Sequence, residues 1–97
     1  MKSEERRKIY REAMTNFGYD RQLLMVVEEC GELLNSLAKL DRGRATKEEV
    51  LDELADVSIM VEQFAECFDW EFFIGRRVAK LIRLHNRIEK HREKAVQ

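Results

Sequence analysis

The sequence contains no proline and only four glycines, so few positions force its backbone out of a helix. No apolar run approaches the ~20 residues that a membrane-spanning helix needs, and no charged-then-apolar leader opens the chain. The formal net charge of −1 leaves no excess of positive charge for binding polymeric nucleic acid. We therefore expect a cytoplasmic protein without a membrane or nucleic-acid partner.

Cysteine is also scarce, since the chain has only Cys30 and Cys67. Neither has a second cysteine or a histidine at metal-ligand spacing, and both lie in apolar periodic runs. We expect buried thiols in a reducing compartment rather than a disulfide or a zinc site.

Apolar residues make up 44% of the 97 residues, which is enough for the core of one domain over residues 1–97. Leucine, alanine, glutamate, lysine and arginine dominate the composition, as is typical of an all-α protein. A chain of this size buries a modest share of its surface, so a partner subunit would add to its stability.

Four helices follow from the apolar periodicity and from residues that begin or end helices. Gly18 and Gly43 mark two helix ends, Thr46 opens a capping box with Glu49, and Asp69 can cap the last helix. Because the connecting segments are short, we expect an antiparallel four-helix bundle. The predicted helices span about residues 3–17, 20–41, 46–68 and 70–92.

The second predicted helix is apolar over more than half of its circumference, whereas a surface helix needs only about a 100° stripe. One neighbouring layer cannot cover so wide an arc in a chain this short. We therefore expect a homodimer or a homotetramer. The apolar residues are Leu23, Leu24, Val26, Val27, Cys30, Leu33, Leu34, Leu37, Ala38 and Leu40.

Two pairs of acidic residues border these apolar faces. Glu29 and Glu32 are three residues apart on the second helix, as are Glu53 and Asp56 on the third. Residues at this spacing share a helix face, where like charges destabilise a bare helix by a few tenths of a kcal/mol. Each pair is therefore arranged to hold a cation between its carboxylates.

Oxygen ligands suit hard cations, which favours Mg²⁺, with Mn²⁺ as a substitute. A di-iron bundle would use Glu-x-x-His, and neither His85 nor His91 has a glutamate three residues before it. Because Mg²⁺ keeps several waters and readily takes phosphate ligands, the acids indicate phosphate chemistry. The alternative interpretation is a solvated acidic face that only sets the choice of a protein partner.

The order Glu28-Glu29-x-x-Glu32, a spacer of 20 residues and Glu53-x-x-Asp56 resembles the signature of the MazG-like all-α NTP pyrophosphatases. The resemblance covers about residues 19–90. It implies Mg²⁺-dependent hydrolysis of a nucleoside triphosphate between the α and β phosphates, as house-cleaning of the nucleotide pool. By position, it implies that Glu29, Glu32, Glu53 and Asp56 are the metal ligands and that Glu28 orients or deprotonates the attacking water.

The last predicted helix carries Lys80, Arg83 and Arg87 at i, i+3 and i+7 on one face. These residues could bind phosphates that the metal ions do not neutralise, and Asn86 nearby could contact the sugar or the base. A solvated face paired with glutamates is an equally good interpretation. Lys39 shares the polar strip of the second helix with Glu32 but is two turns away, so we rank it lower.

Three functions are compatible with these residues. The first is a nucleoside triphosphate pyrophosphohydrolase, and the second is a metal-dependent phosphohydrolase of another phosphorylated metabolite. The third is a non-catalytic helical module for oligomerisation or interaction, which should gain no thermal stability from Mg²⁺.

Overall fold

A computed structural model describes residues 1–96, which form four α-helices and contain no strand. This confirms the all-α class and the four predicted helices. The second helix begins one residue earlier than predicted, and the last continues past residue 92. No helix in this range is long and apolar enough to cross a membrane. The helices are α1 (Ser3–Phe17), α2 (Tyr19–Asp41), α3 (Lys47–Phe68) and α4 (Trp70–Val96).

The helix ends follow from local chemistry. Gly18 (φ 89°) separates α1 from α2 and Gly43 (φ 71°) follows α2, and both adopt the left-handed backbone that favours glycine. The hydroxyl of Thr46 accepts a hydrogen bond from the backbone N–H of Glu49 at 3.1 Å, which confirms the N-cap of α3. Asp69 caps α4 in the same way through the backbone N–H of Phe72, at 3.0 Å.

The third helix, α3, is the centre of the fold, because α1 and α2 both pack along it. A small apolar core forms where α1, the second half of α3 and the start of α4 meet. Its buried members are Tyr10, Ala65 and Trp70, with Phe73 and Ile74 packed against them.

Ion pairs hold α1 on the second half of α3. Glu66, whose side chain is 7% exposed, pairs with Arg7 and with Arg11, the latter at 2.8 Å. Burial alone would raise the pKa of Glu66, but hydrogen bonds from both arginines and their positive charges outweigh burial and lower that pKa. Next to this group, the Tyr10 hydroxyl donates to Glu62 at 2.8 Å. The position of α1 therefore depends on charge as well as on apolar packing.

The last helix, α4, packs on the chain through its first two turns. Trp70 is buried there, and Arg77 reaches Glu62 at 3.6 Å. Farther along, the apolar residues are exposed instead of packed on α3, so this part of α4 does not close a four-helix bundle within one chain. These residues include Val78, Leu81, Ile82 and Ile88.

The prediction of buried thiols is wrong, because Cys30 and Cys67 are both exposed, and neither forms a disulfide. They lie on sides of α2 and α3 that no other helix of residues 1–96 covers. The same is true of much of the apolar arc of α2, where Leu24, Val27 and Leu34 are 65%, 64% and 69% exposed. Residues 1–96 cover only one side of α2.

Candidate functional site

The two acidic pairs meet where α2 packs on α3. One carboxylate oxygen from each of Glu29, Glu53 and Asp56 lies within 4.8 Å of the others. Two ligands on opposite sides of Mg²⁺ are about 4.2 Å apart, so small side-chain adjustments would let one ion contact all three. The fold therefore brings together three of the four predicted metal ligands.

Glu32, the fourth predicted ligand, belongs to the same group by its electrostatic effect. Its negative charge contributes to raising the pKa of both Glu29 and Glu53. It also lines a pocket that Glu53 lines from the opposite helix. We refer to Glu29, Glu32, Glu53 and Asp56 as the carboxylate cluster.

The carboxylate cluster differs from an ordinary solvated acidic face. The Oε2 atoms of Glu29 and Glu53 are buried and have no hydrogen-bond partner among residues 1–96. No lysine, arginine or histidine in that range forms an ion pair with any member of the cluster. A buried, unpaired carboxylate oxygen is unfavourable, and a cation between α2 and α3 would supply a partner for both atoms. The residues present therefore fit a divalent metal ion.

The pKa values of Glu29 and Glu53 are both raised, as expected for acids that lack a positively charged partner. Loss of solvent contact raises the pKa of Glu29, and the charges of Glu32 and Asp56 raise it further. Loss of solvent contact also raises the pKa of Glu53, again with the charges of Glu32 and Asp56. Groups of acids with raised pKa values in a contact between helices are typical of functional sites.

Glu28, the predicted catalytic residue, is exposed at the edge of the carboxylate cluster. It directly precedes Glu29, and its charge makes a smaller contribution to the raised pKa of that residue. The structure thus places Glu28 beside the cluster and in contact with solvent.

A pocket of about 240 Å³ adjoins the carboxylate cluster between α2 and α3. We call it the α2–α3 pocket. Along α2, its lining residues are spaced at i, i+3, i+4 and i+7, so they form one continuous wall. This wall carries a carboxylate, an amide, a hydroxyl and an ammonium group. The pocket is lined by Glu32, Asn35, Ser36 and Lys39 of α2 and by Glu49 and Glu53 of α3.

Lys39 lies about two turns from Glu32 along α2, yet both side chains border the same pocket. The sequence pattern that could have identified this wall is a row of polar residues on one face of the helix. The row consists of Glu32, Asn35, Ser36 and Lys39.

The predicted substrate-binding residues of α4 lie away from the carboxylate cluster. All four are exposed on the part of α4 beyond its packed first turns, and none lines the α2–α3 pocket. Two of them border a separate small pocket on α4 itself. A role for α4 at the cluster would therefore require a second subunit. The four residues are Lys80, Arg83, Asn86 and Arg87, of which Lys80 and Arg83 border the separate pocket.

Comparisons of the chain with protein-family models, with curated proteins and with solved structures found no match. A function for this chain must therefore be inferred from its own residues, chiefly the carboxylate cluster and the α2–α3 pocket.

Proposed function

We propose that this protein is a Mg²⁺-dependent nucleoside triphosphate pyrophosphohydrolase. It would cleave a ribo- or deoxyribonucleoside triphosphate between the α and β phosphates and release a monophosphate and pyrophosphate. The carboxylate cluster carries the proposal, because two helices hold three acidic oxygens within 4.8 Å and leave two buried oxygens unpaired. The sequence resemblance to MazG-like enzymes supports a nucleotide substrate and a house-cleaning role in the cytoplasm.

Glu29, Glu32, Glu53 and Asp56 are the residues that would hold Mg²⁺, or Mn²⁺ in its place. Since Mg²⁺ usually takes only one or two protein carboxylates and completes its shell with water and phosphate, four acids are enough for more than one ion. Bound Mg²⁺ would polarise phosphoryl oxygens and lower the pKa of a water molecule. Glu28, exposed beside the cluster, is assigned the task of orienting or deprotonating the attacking water.

A homo-oligomer is proposed as the active form. One face of α2 is both exposed and apolar, and its residues recur at alternating intervals of three and four, the spacing of a coiled-coil seam. Gly31 lies in this face, and a Cβ atom added to it would meet no atom within 4 Å. The surface is therefore open to another chain. We call this face the α2 seam, which consists of Leu24, Val27, Gly31, Leu34 and Ala38.

A second subunit would also give α4 a role at the site. Because α4 extends beyond its packed first turns, its exposed residues are free to reach a neighbouring chain. Lys80, Arg83 and Arg87 of a second copy would supply positive charge for the phosphates, and Asn86 could contact the sugar or the base.

A panel of all ribo- and deoxyribonucleoside triphosphates with Mg²⁺ tests the function, with products separated so that pyrophosphate is distinguished from orthophosphate. We expect a monophosphate and pyrophosphate from the wild type and no product from Glu53→Gln. Glu48→Gln is the matched control, since it removes an exposed acid from the first turn of the same helix.

Two other results would replace the proposal with an alternative. Orthophosphate as the only phosphate product would favour a metal-dependent phosphohydrolase of another metabolite. Absence of turnover, together with a melting temperature that Mg²⁺ does not change, would favour a non-catalytic interaction module.

A further inference from the structure

We propose that Lys39 binds the terminal phosphates of the substrate in the α2–α3 pocket and holds the pyrophosphate group that leaves. The identity of the substrate rests on the proposed function. The anion subsite rests on the pocket together with Mg²⁺ at the carboxylate cluster, because Glu32, Glu49 and Glu53 outnumber Lys39 among the charged residues of the pocket.

Lys39 is the one cationic side chain among the six that line this pocket. It forms no ion pair with Glu32, Glu49 or Glu53, or with any other acid in residues 1–96, although those three border the same space. An ammonium group has three hydrogen-bond donors, and here no carboxylate within the described range engages them. They are available to an anionic ligand.

The position of Lys39 along α2 matches a chain of phosphates better than a single phosphate. Seven residues separate Lys39 from Glu32, which is about 10 Å along the helix axis. Helical side chains lean toward the N-terminus of their helix, so the long stem of Lys39 can extend toward Ser36 and the carboxylate cluster. A ligand with one phosphate held at the cluster and further phosphates extending along the wall would reach the ammonium group.

The residues between the two ends offer neutral hydrogen-bond donors. Asn35 provides an amide group and Ser36 a hydroxyl, and both line the pocket between Glu32 and Lys39. Neutral donors suit the middle of a polyphosphate whose charge is balanced at one end by metal ions and at the other by lysine. Within one chain, no residue of α4 can serve this purpose, because none lines the pocket.

An experiment must distinguish phosphate binding by Lys39 from a purely structural role of this residue. The residue lies in the last turn of α2, where a cation stabilises the negative end of the helix dipole. Removing the charge could therefore lower stability without affecting any ligand.

The test is titration calorimetry of inorganic pyrophosphate, with Mg²⁺ present, on the wild type, Lys39→Gln and Lys39→Arg. Lys8→Gln is the matched control, because it removes the same charge from an exposed position on α1. We expect Lys39→Gln to weaken binding by about tenfold or more, as for the loss of a charge-assisted contact. Lys39→Arg should stay within about threefold of the wild type, since the guanidinium group keeps the charge and also binds phosphate. Lys8→Gln should bind like the wild type.

Pyrophosphate affinity that is equal in Lys39→Gln and the wild type would overturn the inference, even if the variant melted at a lower temperature. Failure of the wild type to bind pyrophosphate would overturn it as well. Turnover of nucleoside triphosphates distinguishes the two proposals. Turnover by the wild type with unchanged affinity in Lys39→Gln refutes the Lys39 subsite alone. Lys39-dependent pyrophosphate binding without any turnover refutes the enzymatic proposal alone.

Discussion

Glu29 on α2 and Glu53 on α3 each place a carboxylate oxygen within 4.8 Å of the other, and each has its Oε2 atom buried without a hydrogen-bond partner in residues 1–96. Like charges at this separation repel, and partial burial strengthens the repulsion. The packing of α2 on α3 holds them together nonetheless. The metal-free fold therefore carries an electrostatic cost that a divalent cation would remove.

Divalent cations should accordingly stabilise the wild type. A ligand at 100 times its Kd adds about 2.7 kcal/mol to the free energy of unfolding. In a domain of this size, each kcal/mol raises Tm by about 4–8 °C, so we expect a shift of several degrees with millimolar Mg²⁺ or Mn²⁺. Scanning calorimetry would measure it, with NaCl at the same ionic strength as the control. Equal Tm values in both salts would show that the carboxylate cluster does not bind the metal.

Glu53→Gln and Asp56→Asn should abolish both turnover and the effect of Mg²⁺ on Tm. Each variant keeps the shape of the side chain and removes a repelled charge, so the metal-free protein should be as stable as the wild type or more stable. Urea denaturation in EDTA measures that stability, and Glu48→Gln serves as the control. Near-wild-type activity of either variant at millimolar Mg²⁺ would contradict the ligand assignment. Loss of the fold would indicate that the acids are structural.

The local features of this site were predictable from the sequence. The capping residues Thr46 and Asp69 fix where α3 and α4 begin, and helical spacing alone places Glu53 and Asp56 on one face. Which acids become buried depends on how α2 crosses α3. The unpaired oxygens of Glu29 and Glu53 and the place of Lys39 in a shared pocket therefore became visible only in the fold.

Self-association should depend on the α2 seam. Leu34, one of the five seam residues, is 69% exposed, and Leu34→Glu would bury a charge in any helix contact formed there. We expect light scattering to show a dimer or a tetramer for the wild type and a smaller species for Leu34→Glu, with unchanged helical circular dichroism. Thr15→Glu, which adds the same charge at an exposed polar position of α1, should assemble like the wild type.

A wild type that is monomeric at micromolar concentration would contradict the oligomer. It would also remove the route by which Lys80, Arg83 and Arg87 of a second copy could reach the carboxylate cluster.

Apolar periodicity did not predict what covers each helix. The spacing of Val78, Leu81, Ile82 and Ile88 defines an apolar side of α4, yet that side is exposed in residues 1–96. The exposed Cys30 illustrates the same limit. A repeat defines a face, but whether the same chain or another one covers it depends on the angles between helices, which short loops do not determine.

Stability in acid should depend on Glu66. Since Arg7 and Arg11 lower its pKa in the folded state, its contribution to stability is complete above the pKa of the unfolded state and is lost as the pH falls through the folded pKa. Glu66→Gln should lower the free energy of unfolding at pH 7 by about 1–3 kcal/mol and flatten its decline below about pH 4. Urea denaturation from pH 3 to pH 7 would measure both effects.

The control for this prediction is Glu5→Gln, an exposed acid at the start of α1. It should leave the pH dependence almost unchanged. If Glu66→Gln behaved in the same way, the ion pairs of Glu66 with Arg7 and Arg11 would not be what holds α1 on α3.

Hydrolysis in ¹⁸O-labelled water tests the proposed reaction most directly. If water attacks the α phosphorus, the new oxygen is retained in the nucleoside monophosphate and pyrophosphate leaves without it. Mass spectrometry of both products, with Glu53→Gln as the blank, separates the possible sites of attack. We expect ¹⁸O in the monophosphate and none in pyrophosphate. Label found only in pyrophosphate, or orthophosphate as the sole phosphate product, would contradict it.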